Sequence, residues 1–189
     1  MKRRRPWLLS LVFLSSLFVL GEAKIVGQKM EKPKGKKIDQ RALEAALAPP
    51  YQKFLKMTAY IILPTEKDVL LRLTSDRERD LFIDSFWKQR DPTPGTLENE
   101  YRDDIEKRFA HVNDRYARGT TLEGWKTDMG RIYMILGPPA STESFEASLG
   151  LVPCIAWYYY GDTRKNLPPS FGLVFFQKGG AGAFRLYDP

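Results

Sequence analysis

The stretch GWKTDMGRIYMILGPP, residues 124–139, decides how this chain folds. A Trp follows a Gly, a Thr-Asp pair and a second Gly come next, and an apolar run at 131–136 ends in Gly137, Pro138 and Pro139. Gly124 and Gly130 permit backbone geometry that is closed to other residues. Trp125 supplies a large apolar anchor with one N–H to satisfy, and the short side chains of Thr127 and Asp128 suit bonds to local amides. Residues 131–136, rich in branched and aromatic side chains, predict a strand begun by Arg131, which lies near enough to Asp128 to pair with it.

Downstream, residues 155–160 (IAWYYY), 171–177 (FGLVFFQ) and 183–187 (AFRLY) predict three more strands. The first two are apolar at both parities, whereas a sheet with one wet face should alternate. Either both faces are covered, with residues 39–62 as one candidate cover, or one face offers aromatic surface to a partner. The Gly-rich stretch 179–182 predicts a flexible hairpin, since it lacks the strand-loop-helix setting of a phosphate loop.

Upstream the apolar period is helical. Leu43, Ala46 and Leu47 share one face, as do Tyr51, Phe54, Leu55 and Ala59 in a second segment. Thr65 with Asp68 suggests the start of a short helix running to Leu73. Ser75 with Glu78 is a capping box opening a longer one, which the prolines at 92 and 94 end. From Leu97 to Tyr116 apolar residues recur every three or four positions, and Asp104 precedes Arg108, and Asp114 precedes Arg118, at the favourable four-residue spacing. Helices first and strands afterwards predict an α+β domain, about four helices packed on one face of a mostly antiparallel four-stranded sheet.

Three motifs in this order resemble the GWxTD family of exported bacterial domains. The first, FWKQRDPTPGTLENEY, holds Trp87, Arg90, Asp91, Pro92, Asn99 and Glu100; the second, RFAHVNDRY, holds Arg108 and Asn113. The third is the opening stretch, with Gly124, Trp125, Thr127, Asp128, Gly130, Arg131, Gly137 and Pro138. The resemblance implies an exported domain with no established activity, and it attaches no catalytic role to these positions.

The ends of the chain add a location. Lys2 to Arg5 form a basic n-region, residues 7–20 an apolar run of fourteen, and Gly21-Glu22-Ala23 a small-residue cleavage site. Residues 1–23 are thus expected to be a secretory signal peptide, since fourteen apolar residues fall short of the roughly 20 that span a bilayer. Localisation would then be periplasmic or secreted, with no stable membrane span after cleavage. Residues 24–38, with six lysines, form a basic, flexible leader, and 39–189 a single domain.

The net charge of +7 is concentrated in those first segments; residues 42–189 hold 19 basic and 20 acidic side chains, so no basic footprint for nucleic acid is expected. The only cysteine, Cys154, excludes an internal disulfide and sits among apolar neighbours as a small hydrophobe. The only histidine, His111, falls on a charged helix stripe with no nucleophile at recognisable spacing, so it is expected to be solvated. Glu100 and Asp104 could share a hard cation, but Arg108 offers simpler neutralisation. No cofactor or metal is expected.

Two functions remain open. Arg90, Asp91, Glu100, Asp128 and Arg131 could converge where the helices meet the sheet, giving an envelope hydrolase with Asp91, Glu100 and Asp128 as acid or base. Each of these residues also has an adequate structural role, and the favoured expectation is a non-catalytic module that binds an envelope protein or polymer through its aromatic sheet and the Trp125 corner.

Overall fold

The computed structural model describes residues 39–147, 152–160 and 167–188; the expected signal peptide and basic leader lie outside them. Five helices come first: α1 (Gln40–Ala46), α2 (Pro49–Met57), α3 (Pro64–Arg72), α4 (Asp76–Lys88) and α5 (Glu100–Arg115). A 3-10 turn at Gly124–Lys126 leads into a sixth, α6 (Asp128–Leu136). Four strands follow: β1 (Ser141–Phe145), β2 (Cys154–Tyr160), β3 (Ser170–Phe176) and β4 (Arg185–Leu186). They pair antiparallel in sequence order as a meander.

Local chemistry sets most of the helix starts. Asp39 accepts the Arg41 amide at 3.1 Å, prolines open α2 and α3, and Asn99 accepts the Arg102 amide at 2.9 Å. The Ser75–Glu78 box closes in both directions, at 3.3 and 3.0 Å. At α3 the expected Thr65–Asp68 arrangement is replaced. Glu66 reaches back to the Leu63 amide at 2.8 Å, because the helix already begins at Pro64.

The run 131–136 is helix and not strand. Thr127 caps it, its hydroxyl accepting the Gly130 amide at 3.0 Å, and Gly137 ends it at a φ of +82°. The misleading signal has a physical cause. Met134 and Tyr133 pack into a helical core on one side, while Met129, Ile132 and Leu136 pack against the sheet on the other. Ile135 is apolar as well although it is 43% exposed, so residues 132–136 are hydrophobic without a break and match a short strand as well as a helix turn. The fourth strand is instead STESF, β1, whose residues are all exposed and carry no apolar alternation to detect.

Two cores result. Helices α1 to α5 enclose the first around Phe54, Leu70, Phe86, Trp87, Ile105 and Val112, with Phe54, Phe86 and Trp87 in mutual edge contacts at 5.1 to 6.1 Å. The segment expected to cover the sheet, 39–62, belongs to this core. The second core lies between α6 and the sheet, around Met129, Trp157, Tyr159 and Phe175. Tyr116 and Tyr133 pack against both.

The register separates the faces of the sheet. Ile155, Trp157 and Tyr159 oppose Phe175, Leu173 and Phe171 on the side that packs on α6. Cys154, Tyr158 and Tyr160, with Val174 and Phe176, lie on the other side. That side keeps Tyr160 62%, Tyr187 58%, Phe145 52% and Val174 43% exposed. Cys154 is accordingly half-buried on this face and is no part of a sealed core. In urea unfolding, Phe175→Ala should cost about 3 to 5 kcal/mol, while Tyr160→Ala should stay within about 0.5 kcal/mol; equal costs would reverse this assignment of faces.

Candidate functional site

The corner built by residues 124–137 is assembled from backbone contacts. Gly124 lies against α5 so closely that an added Cβ would stand 1.9 Å from the Val112 carbonyl oxygen. A Cβ on Gly130 would stand 1.9 Å from the Gly124 carbonyl oxygen. Both atoms are main chain and cannot swing away, so only glycine fits. The Thr127 hydroxyl donates to that same Gly124 carbonyl at 2.7 Å while accepting the Gly130 amide, and Thr127 is 3% exposed.

Trp125 turns outward from this knot and clamps the helical core. Its amide donates to Asn113 Oδ1 at 3.3 Å, and its indole N–H donates to Glu123 at 3.0 Å. Its ring meets Tyr60 edge-on at 6.1 Å, and the Tyr60 hydroxyl donates to the Trp125 carbonyl at 2.8 Å. Asn113 closes the circuit by donating to the Phe109 carbonyl. Glu123 gathers the Trp125 indole, Lys126 at 3.0 Å and Lys56 at 3.1 Å, and these hold its carboxyl down at about 2 against the opposing effect of partial burial.

Asp128 faces the other way. Its Oδ2 accepts the Leu186 amide at 2.9 Å, a bond 58 residues long in sequence that fastens β4 to α6, and Oδ1 meets Arg131 at 3.5 Å. At the far end of α6, Arg108 donates to the Met134 carbonyl at 3.2 Å and pairs with Asp104 at 2.6 Å. A cation here suits the negative end of the helix dipole. Gly137 favours glycine through its φ of +82°, and a Cβ there would in addition displace the Arg108 guanidinium, 2.8 Å away at Nη2.

The first motif does similar work elsewhere. Arg90 grips Glu66 with both contacts at 2.8 Å, lies 3.7 Å over the Phe86 ring and donates to the Phe86 carbonyl. Partial burial opposes ionisation of Glu66, but the Arg90 guanidinium and the Leu63 amide outweigh it and lower its pKa. Asn99 donates to the Trp87 carbonyl at 2.8 Å, and Asp91 accepts the Thr93 amide at 3.0 Å. Glu100 takes the Thr93 hydroxyl at 2.6 Å, which lowers its pKa. Pro92 and Pro138 are exposed.

The five residues considered as a polar cluster therefore do not converge on common partners. Asp91 and Glu100 meet at Thr93, Arg90 belongs to Glu66, and Asp128 with Arg131 stands beside β4. Among the described residues no group of acidic, His or Cys side chains is arranged to hold a metal ion, and Asp104 is paired with Arg108. No helix among them is long and apolar enough to cross a membrane.

His111 is not solvated as expected. It stacks on Tyr133 at 4.5 Å with ring planes 14° apart, and it meets Tyr116 edge-on at 5.7 Å. With Trp157 these rings line a cavity of about 540 Å³ between α5, α6 and the sheet. Reading 131–136 as a strand hid this cluster, because only a helix carries Tyr133 to the side of His111.

These features define an α+β domain whose recurring polar letters fasten helices to one another and to the sheet. A family model for the GWxTD domain matches residues 35–175, and the chain belongs to that family. Comparisons with curated proteins and with solved structures gave no match.

Two outcomes follow for the corner. Gly124→Ala should destabilise by about 3 kcal/mol or more, whereas Gly95→Ala, with nothing within 4 Å of an added Cβ, meets only the positive-φ penalty; denaturant midpoints compare them. The Glu123 contribution is complete above the ordinary carboxylate range and is lost as pH falls through that range toward about 2. Glu123→Gln should therefore flatten the acid limb of the stability profile, measured by thermal melts at stepped pH.

Proposed function

We propose that this domain is a non-catalytic binding module of the bacterial cell envelope, docking a protein partner on the outer face of its sheet. The observation that carries the proposal is the exposure of Phe145, Tyr160, Val174 and Tyr187 together on one face. Large apolar side chains left exposed on one sheet face suit an interaction surface. The motif residues, by contrast, are engaged in folding; Asp91 and Glu100 share Thr93, but Asp128 is bonded to the Leu186 amide, so an envelope hydrolase using all three draws no support from their placement. Of the charged side chains on the outer face, Glu143 and Arg185 oppose each other in sign. A surface that is apolar with little net charge suits a protein better than an anionic polymer or lipid headgroup. The Trp125 corner, occupied by Glu123, Asn113 and Tyr60, supports the fold and leaves the sheet as the docking element. Envelope location rests on the composition of residues 1–23.

Photo-crosslinking side chains placed at Tyr160 or Val174 of the full chain, in cells, should give one discrete protein adduct, and the same group at exposed Arg77 on α4 should give none. Tyr160→Lys with Val174→Lys should lower the adduct formed from position 145 about tenfold or more without moving the melting temperature. Equal adducts from α4, or an adduct indifferent to the lysines, would overturn the proposal.

A further inference from the structure

The cavity between α5, α6 and the inner face of β2 lies apart from the outer face and from every motif network except the Thr127 cap. Its volume, about 540 Å³, falls in the range of small-molecule sites. His111, Tyr116, Tyr133 and Trp157 form its aromatic wall, with ring separations from 4.5 to 6.2 Å. Such walls hold flat apolar bodies by stacking and edge contacts.

The polar groups in this wall are what distinguish it from ordinary core. Trp157 lines the cavity, and among the described residues its indole N–H has no protein acceptor, which leaves it open to the cavity side. The Tyr116 hydroxyl and both ring nitrogens of His111 are likewise without protein partners among the described residues. Arg115, also lining the cavity, has no acidic partner there, unlike neighbouring Arg118, which Asp114 holds at 3.1 Å. Burial pushes the Tyr116 phenol up to about 12, with Tyr133 adding to the effect and Arg115 opposing it, so Tyr116 stays a hydroxyl donor at any physiological pH with a cation nearby. Donors and positive charge thus outnumber acceptors around an aromatic slot.

We propose that this cavity is a binding site for a small aromatic carboxylate, its ring laid against the wall formed by His111, Tyr116, Tyr133 and Trp157 and its carboxylate received by Arg115 and the Tyr116 hydroxyl. A neutral ligand of the same shape would fill the slot but leave the cation unpaired. Charge-assisted hydrogen bonds are about twice as strong as neutral ones, so the carboxylate should be the preferred form.

The probe is 2-naphthoate, with 2-naphthamide as its neutral counterpart, titrated into the protein while indole N–H resonances are followed by NMR. The Trp157 signal, identified by its loss in Trp157→Phe, should shift saturably with 2-naphthoate. Binding should exceed that of 2-naphthamide by about tenfold. Arg115→Gln, an exposed position that should leave the melting temperature unchanged, should remove that preference while sparing the amide. Tyr116→Phe should weaken the carboxylate more than the amide. No saturable shift at millimolar probe, equal affinity for the two probes, or a preference that survives Arg115→Gln would each overturn the proposal.

Discussion

The carbonyl of Gly124 occupies the place that a side chain on residue 130 would need, and the main chain of Val112 occupies the place that one on residue 124 would need. This double close approach is the constraint on which the remaining architecture depends. It brings the 3-10 turn within backbone distance of α5 and starts α6 at a fixed angle from the same point. Thr127 completes the knot with one hydroxyl that donates to Gly124 and accepts from Gly130, leaving a buried polar side chain satisfied on both counts. With α6 so placed, its two sides must serve two cores, and the sheet has a surface to pack against.

Charged residues reinforce this arrangement at the points where separate elements meet. Arg108 reaches from α5 to the last turn of α6, Asp128 from α6 to β4, Arg90 from the end of α4 to α3. Each joins elements that the chain alone would leave free to move, and each is hydrogen-bonded to main chain or to an opposite charge. Exposed ion pairs such as Arg118 with Asp114 add little by comparison, because water screens them and ordering the side chains carries an entropy cost. The polar letters of the motif are therefore concentrated at joints, while the outer face of the sheet keeps apolar and aromatic side chains exposed.

Much of the fold was legible along the chain. The capping box at Ser75, the two long helices and the three later strands all follow from rules that act within a few residues, whereas Pro49 and Pro64, expected to break helices, begin them. The division into helices and then a mostly antiparallel sheet was equally legible. The bonds from Asp91 to Thr93 and from Asn99 to α5 are of the same local kind. His111 shows where that legibility stops, since its stacking partner lies 22 residues away on an element whose unbroken apolar run resembles a strand.

The sequence by itself determined the class and the family motifs, because capping and hydrophobic periodicity are properties of short stretches of chain; the demand for glycine at 124 comes from α5, which only the fold brings there. Only the tertiary structure decided that residues 131–136 form a helix, that STESF becomes the outer strand, that Asp128 serves β4, and that, among the described residues, one face of the sheet packs on α6 and borders an aromatic cavity while the other keeps apolar side chains exposed. Those outcomes depend on which surfaces meet, and a contact between residues tens of positions apart leaves no periodic trace in either partner.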